Sequence, residues 1–177
     1  MKLLIASDVH GSYSAIEKVL KKVQEENAQE LILLGDIYNH GPRNPFPDEY
    51  APMKVAEALN KTERLTVIKG NCDSEVDEMI SSFTFSESAY LFVNGKKIFL
   101  THGHKYNENA LPSGCDALIY GHFHIGFIKE KEGLIIANPG SVSLPKENSE
   151  PSYLVLGDGL LQLKSLHTGK LLAEKTL

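Results

Sequence analysis

The 177-residue chain has no tryptophan and only two cysteines, Cys72 and Cys115. Two cysteines do not make a disulfide framework, and Cys115, beside an apolar run, reads as a reduced core residue. No apolar run approaches the roughly 20 residues of a membrane-spanning helix. The amino-terminal MKLLIASDVHG carries one lysine and too short an apolar run for a secretory signal, so a cytoplasmic protein without membrane attachment is expected. Positive charge is also scarce. Lys and Arg total 18 against 23 Asp and Glu, a net charge of −5. Without a basic stripe, strong non-specific binding to nucleic acid is not expected. Small phosphate-containing substrates stay open, because a bound metal supplies local positive charge. Histidine numbers only seven, yet four of the seven fall in two i, i+2 pairs, His102/His104 and His122/His124.

What is present is ordinary globular composition, 42% hydrophobic and 23% charged, at a length that suits one domain over residues 1–177. KLLIAS (2–7) reads as a buried strand. Ser12 or Ser14 could cap the helix that follows, in which Ala15, Ile16, Val19, Leu20 and Val23 recur at helical spacing. ELILL (30–34) reads as a second buried strand, parallel to the first through a βαβ unit. Residues 38–52, rich in proline, read as a long surface loop of the kind that is often functional. A helix over 53–59, a strand over 65–68 and a short helix over 75–80 follow. In the second half Asn94-Gly95 marks a tight hairpin between 90–93 and 96–100. Further strands are expected at 116–120, 125–129, 134–137, 153–156 and 160–166, mostly antiparallel.

Five of these strands end in polar residues able to bind metal: Asp8-Val9-His10, Gly35-Asp36, Gly70-Asn71, His102-Gly103-His104 and Gly121-His122-Phe123-His124. Ligand sites of open α/β sheets lie beyond the carboxyl ends of strands, so one shared site is expected. Each residue alone has a plainer reading, as a turn former or a solvated histidine. Their joint occurrence at strand ends argues against chance. On an extended segment residues i and i+2 point the same way, so His122 and His124 should converge on one spot, where a metal would hold them neutral.

The ordered blocks DxH, GD, GN, H and GHxH, present as Asp8-Val9-His10, Gly35-Asp36, Gly70-Asn71, His102 and Gly121-His122-Phe123-His124, resemble those of the calcineurin-like metallophosphoesterases. The resemblance spans about residues 2–145. The short length, NHGPRN, GNCD and NPGSVSLPK are similar to the bacterial YfcE-type phosphodiesterases within that family. The resemblance implies an α/β (α+β) fold, a four-layer αββα sandwich of two facing mixed β-sheets. It also implies two divalent metal ions, manganese first, with zinc, iron or nickel compatible. One ion would take Asp8, His10, Asp36 and His124; the other Asp36, Asn71, His102 and His122, with Asp36 bridging. Such ions lie ~3.5–4 Å apart in two-metal hydrolytic sites, and the shared carboxylate offsets their repulsion. The activity implied is hydrolysis of a small phosphodiester by a hydroxide bridging both metals. Alternatives are a phosphomonoesterase or nucleotidase at the same site, or a non-catalytic protein-binding scaffold of the same fold. The scaffold reading is disfavoured because all seven ligand positions are intact. A homo-oligomer is left open.

The sequence departs from the family pattern at Cys72, where many members carry a histidine thought to protonate the leaving oxygen. A thiol is a weaker donor without positive charge. Asp36, Asn71, Cys72 and His104 are therefore the candidate catalytic residues, His104 either contacting phosphate or simply solvated. Asn39, His40 and Arg43 of the 38–52 loop are candidate substrate-binding residues. Asp73 could orient a neighbour, but is read first as the start of the next helix. Asn138-Pro139-Gly140-Ser141 could line the pocket or merely shape the backbone.

Overall fold

The computed structural model describes residues 1–177. β1 (Lys2–Ala6), α1 (Tyr13–Glu25) and β2 (Glu30–Leu33) form the expected βαβ unit, with Ile5 beside Ile32 in parallel register. Ser12 is the cap: the Ala15 N–H donates to its Oγ at 3.3 Å. Ser14 donates instead to the Asp48 carboxylate. α2 (Pro52–Asn60) leads to β3 (Leu65–Ile68), parallel to β2. α3 (Glu75–Met79) starts at Ser74, whose N–H donates to the Asp77 carboxylate at 2.7 Å. The expected 38–52 loop runs without helix or strand up to Pro52, where α2 begins, but it is tied down: Tyr13 N–H donates to Glu49 C=O and Ala51 N–H to Gly11 C=O.

β4 (Phe85–Ser86), a two-residue strand that no periodicity announces, lies parallel to β3. β5 (Ala89–Val93) and β6 (Lys96–Thr101) form the expected hairpin, with Asn94 and Gly95 both at positive φ, as its tight turn requires. Then come β7 (Ala117–Tyr120), β8 (Gly126–Lys131), β9 (Leu134–Pro139), β10 (Ser152–Gly157), β11 (Leu160–Ser165) and β12 (Leu171–Thr176). β12 is a further strand beyond the expected set.

The strands form a seven-stranded sheet, β12-β11-β10-β1-β2-β3-β4, and a five-stranded one, β5-β6-β7-β9-β8. Hairpins make much of the second half antiparallel, but β7 runs parallel to both β6 and β9. The chain then returns to the first sheet, where β10 pairs antiparallel with β1. Alternation sorts the side chains. Leu3, Ile5, Ile32 and Leu34 face the space between the sheets and meet Ile98, Leu100, Ala117 and Ile119. Leu4, Ala6, Leu31 and Leu33 face the other way, against Ile16 and Val19 of α1 and Val55 and Leu59 of α2. The outer face of the five-stranded sheet carries Phe99, Leu118, Tyr120 and Ile136, covered by Leu111 and Cys115. That outermost layer is irregular chain, since all three helices precede residue 80. The carboxyl ends of β1, β2, β3, β6 and β7 meet at one edge of the sandwich, where His102 Nδ1 donates to Leu34 C=O across the sheets at 2.6 Å.

Candidate metal centre

The chain leaves these strand ends by sharp turns. Asp8, His10, Asp36, His122 and His124 all have φ between 50° and 66°. Non-glycine residues avoid that left-handed region, and strain of this kind gathers at functional sites. Two glycines explain how the turns approach so closely. A Cβ on Gly70 would lie 2.2 Å from Asp36 Oδ1 and 2.3 Å from its backbone nitrogen. One on Gly121 would lie 1.9 Å from Ser7 Oγ. The left-handed turns also overturn one expectation: His122 and His124 are not on an extended segment, and their rings do not converge on one spot. His124 joins Asp8 and His10, whereas His122 joins Asp36 and His102.

In the first cluster His124 Nε2 lies 3.3 Å and His10 Nε2 3.7 Å from Asp8 Oδ1, and the two imidazole nitrogens are 3.2 Å apart. In the second, His102 Nε2 lies 3.4 Å from Asp36 Oδ1 and 3.1 Å from Asn71 Oδ1, with His122 Nδ1 at 3.3 Å. Asp36 spans both: its Oδ2 is 3.7 Å from His10 Nε2, while its Oδ1 faces His102.

Backbone carbonyls set the histidine tautomers. His10 Nδ1 donates to Asn39 C=O at 2.7 Å, His102 Nδ1 to Leu34 C=O and His124 Nδ1 to Leu144 C=O, each at 2.6 Å. Each bond frees the Nε2 lone pair, the arrangement that orients metal-bound histidines. Asp8 Oδ1 is buried without a hydrogen-bond partner. Free nitrogen lone pairs and an orphaned carboxylate oxygen facing one another call for a cation. Two clusters of ligand atoms here therefore fit a pair of divalent ions.

The electrostatics single out the same groups. Burial works against the charged form of Asp8, but the neighbouring His10 and His124 imidazoles outweigh that and hold its carboxyl well below the usual range. His102 is likewise opposed by burial, yet the Asp36 and Asp8 carboxylates raise it to about 9. Burial and then the charge of His102 push His122 down to about 4. Asp73 has a larger part than starting a helix. Its buried carboxylate accepts from Asp36 N–H at 2.8 Å, Ile37 N–H at 2.8 Å and Gly70 N–H at 2.7 Å. It locks the β2 and β3 turns together, and burial raises it to about 6 against those three bonds. Asn138 to Ser141 shapes backbone: Asn138 Nδ2 donates to Gly121 C=O and Ser141 Oγ to Asp8 C=O.

A cavity of about 840 Å³ opens over both clusters. Asp36, Asn71, Cys72, His122 and His124 line its floor; Asn39, Arg43 and Asn44 come from the loop. His40 instead stacks on Phe46, ring centroids 4.3 Å apart, and does not line it. His104 stands beside the second cluster, its ring 5.5 Å from that of His102, outside the lining. Phe123, Ile125, Lys146 and Glu147 also line the cavity and had not been singled out from the sequence. Phe123 and Lys146 fall inside or at the end of motifs already quoted, which was the available signal.

The model of the calcineurin-like phosphoesterase superfamily domain matches residues 1–157. The chain belongs to this superfamily. Among curated relatives within it, phosphodiesterase YfcE of Escherichia coli strain K12 is 41% identical over 178 residues, covering 98% of this chain and 97% of YfcE. The probable metallophosphoesterase YsnB of Bacillus subtilis strain 168 is 29% identical, covering 88% and 83%. The solved structure of the phosphoesterase YfcE from E. coli superposes with a TM-score of 0.96 at 39% identity, covering 99% of both chains. The Zn2+ complex of Vps29 from Entamoeba histolytica shares the fold, with a TM-score of 0.69 at 21% identity over 99% of both chains. The calcineurin-like sandwich of two mixed sheets with flanking helices is thus the fold of this chain.

Cys72 sits at the first cluster's side of Asp36, grouped with His10. Burial, then the Asp36 carboxylate, push its thiol up to about 12. It remains a neutral, weak donor at ordinary pH.

Proposed function

We propose that this chain is a metal-dependent phosphodiesterase acting on a small phosphodiester. The observation that carries the reading is the set of imidazole nitrogens freed by carbonyl bonds and facing Asp8 and Asp36, with Asp36 offering one oxygen to each cluster. The 41% identity to phosphodiesterase YfcE over nearly the whole of both chains supports the substrate class. We assign Asp8, His10, Asp36 and His124 to one metal and Asp36, Asn71, His102 and His122 to the other. Manganese is the favoured ion, since mixed oxygen and imidazole donors suit it and no thiolate is offered. Zinc, iron and nickel fit the same donors.

When bound, the two ions supply an activated water and neutralise phosphoryl charge. The chain's own residues do the rest. Arg43 and Lys146 on the cavity wall attract the anionic diester, and Asn39 can donate to it. Asp73 fixes the Asp36 and Asn71 turns so that the oxygens of both point at the clusters. Cys72, on the cavity floor, offers a departing ester oxygen only a weak thiol donor. His104, lowered by burial and the nearby His102, stands beside the second cluster as a further candidate donor to phosphate.

The test is reconstitution of stripped protein with manganese, elemental analysis, and turnover of bis(4-nitrophenyl) phosphate against 4-nitrophenyl phosphate. Two equivalents per chain and a preference for the diester are expected. Asp36→Asn should drain both sites, Asn71→Ala chiefly one. Uptake that stops at one equivalent would contradict the paired centre, and a preference for the monoester would contradict the diesterase reading.

A further inference from the structure

The cavity is much larger than a phosphoryl group needs, and its wall is uneven. Most of the lining is polar or charged, but Phe123 and Ile125 make an apolar stretch that begins between two cluster histidines. Phe123 packs edge-on against His122, ring centroids 5.1 Å apart, and against Tyr120 at 5.9 Å. Those contacts orient the ring yet leave the residue 40% exposed, although His124 beside it is buried. Gly121 C=O receives the Phe123 N–H at 2.7 Å, so the turn that aims the histidines also holds the ring in place. The cationic groups of the lining, Arg43 and Lys146, come from two other segments of the chain. An oriented, solvent-facing ring beside an anion site suits a ligand with a planar apolar group next to its phosphate.

Resting on the phosphodiesterase reading, we propose that Phe123, supported by Ile125, is a specificity-determining residue that binds an aromatic ester arm of the substrate, aryl or nucleobase, by stacking. A stacked ring of this kind contributes on the order of tenfold in affinity.

The experiment compares two probes that share an anionic head and differ in the ring, phenylphosphonate and methylphosphonate. Their Kd values are measured by calorimetry on manganese-loaded protein, so the readout does not depend on turnover. Wild type should prefer phenylphosphonate by roughly tenfold. Phe123→Ala should remove most of that preference with the methylphosphonate Kd unchanged, and Phe123→Tyr should keep it. Phe123→Leu covers the case in which the alanine variant loses its metals; an aromatic preference as large as wild type in the leucine variant would overturn the proposal. Equal binding of both probes by wild type would overturn it while leaving the phosphodiesterase reading intact. Binding of neither, in protein that still turns over bis(4-nitrophenyl) phosphate, would overturn this proposal alone; loss of that turnover as well would overturn both readings together.

Discussion

Replacing Asp73 separates a scaffold role from a mere helix start. The residue is 7% exposed, and its carboxylate accepts three backbone N–H groups from two turns. Oδ2 takes Asp36 and Gly70, and Oδ1 takes Ile37. Asparagine can keep the first two by presenting its oxygen at the Oδ2 position, but its NH2 then faces the Ile37 N–H. Alanine keeps none. A buried donor left without an acceptor costs ~1–3 kcal/mol, so Asp73→Asn should destabilise by about that much. Asp73→Ala should cost about 3–6 kcal/mol, less than a simple sum because the turns relax together. The assay is denaturant unfolding of the metal-free protein, so that metal binding does not add its own stabilisation. The midpoint should fall with an unchanged slope. Manganese affinity should fall in both variants, more in alanine, since the freed turns carry Asp36 and Asn71. A loss below about 1 kcal/mol in Asp73→Ala would mean that water satisfies the three N–H groups and that Asp73 only begins α3.

Arg43→Ala should raise KM for phosphodiesters about tenfold, the worth of one charge-assisted contact, with metal content unchanged; an unchanged KM on every substrate would make it a surface residue. With a neutral thiol at Cys72, kcat/KM across aryl phosphodiesters should fall steeply as the phenol pKa rises, and Cys72→His should flatten the slope, a positioned acid contributing ~10²–10⁴-fold. If the histidine neither flattens it nor speeds poor leaving groups, Cys72 does not limit catalysis. Glu26 accepts from Tyr153 Oη and from Lys164 Nζ, at 2.9 Å each, with side chains of the ion pair only 14% and 17% exposed. Burial opposes its charge, but these bonds lower its pKa below 4.5. Its contribution is therefore complete above pH 4.5 and lost as pH falls through the lower folded value. Glu26→Gln should cost ~1–2 kcal/mol at pH 7, with the gap to wild type closing in acid; a gap that widens there would reverse the sign.

The order of the strand-end motifs was legible in the sequence because each follows a short apolar run. Parallel strands carry their carboxyl ends to one edge of a sheet, which is why the sequence alone brings Asp8, Asp36 and Asn71 together. The Asn94-Gly95 hairpin was legible because few residue pairs accept positive φ at both positions. β4 and β12 were not: one is too short to show a period, and the other is a largely exposed edge strand without a continuous apolar face. Local periodicity misplaced His122 and His124, since an alternation argument assumes extended backbone and both residues turn left-handed. What divides them between the two clusters is the packing of one sheet edge against the other, with Asp36 from the first sheet reaching His102 from the second. The roles of Asp73, Phe123 and Lys146 depend on the same packing. A carboxylate's acceptors, a ring's exposed face and a cavity wall are made by segments far apart in the chain, and no spacing within one segment encodes that meeting.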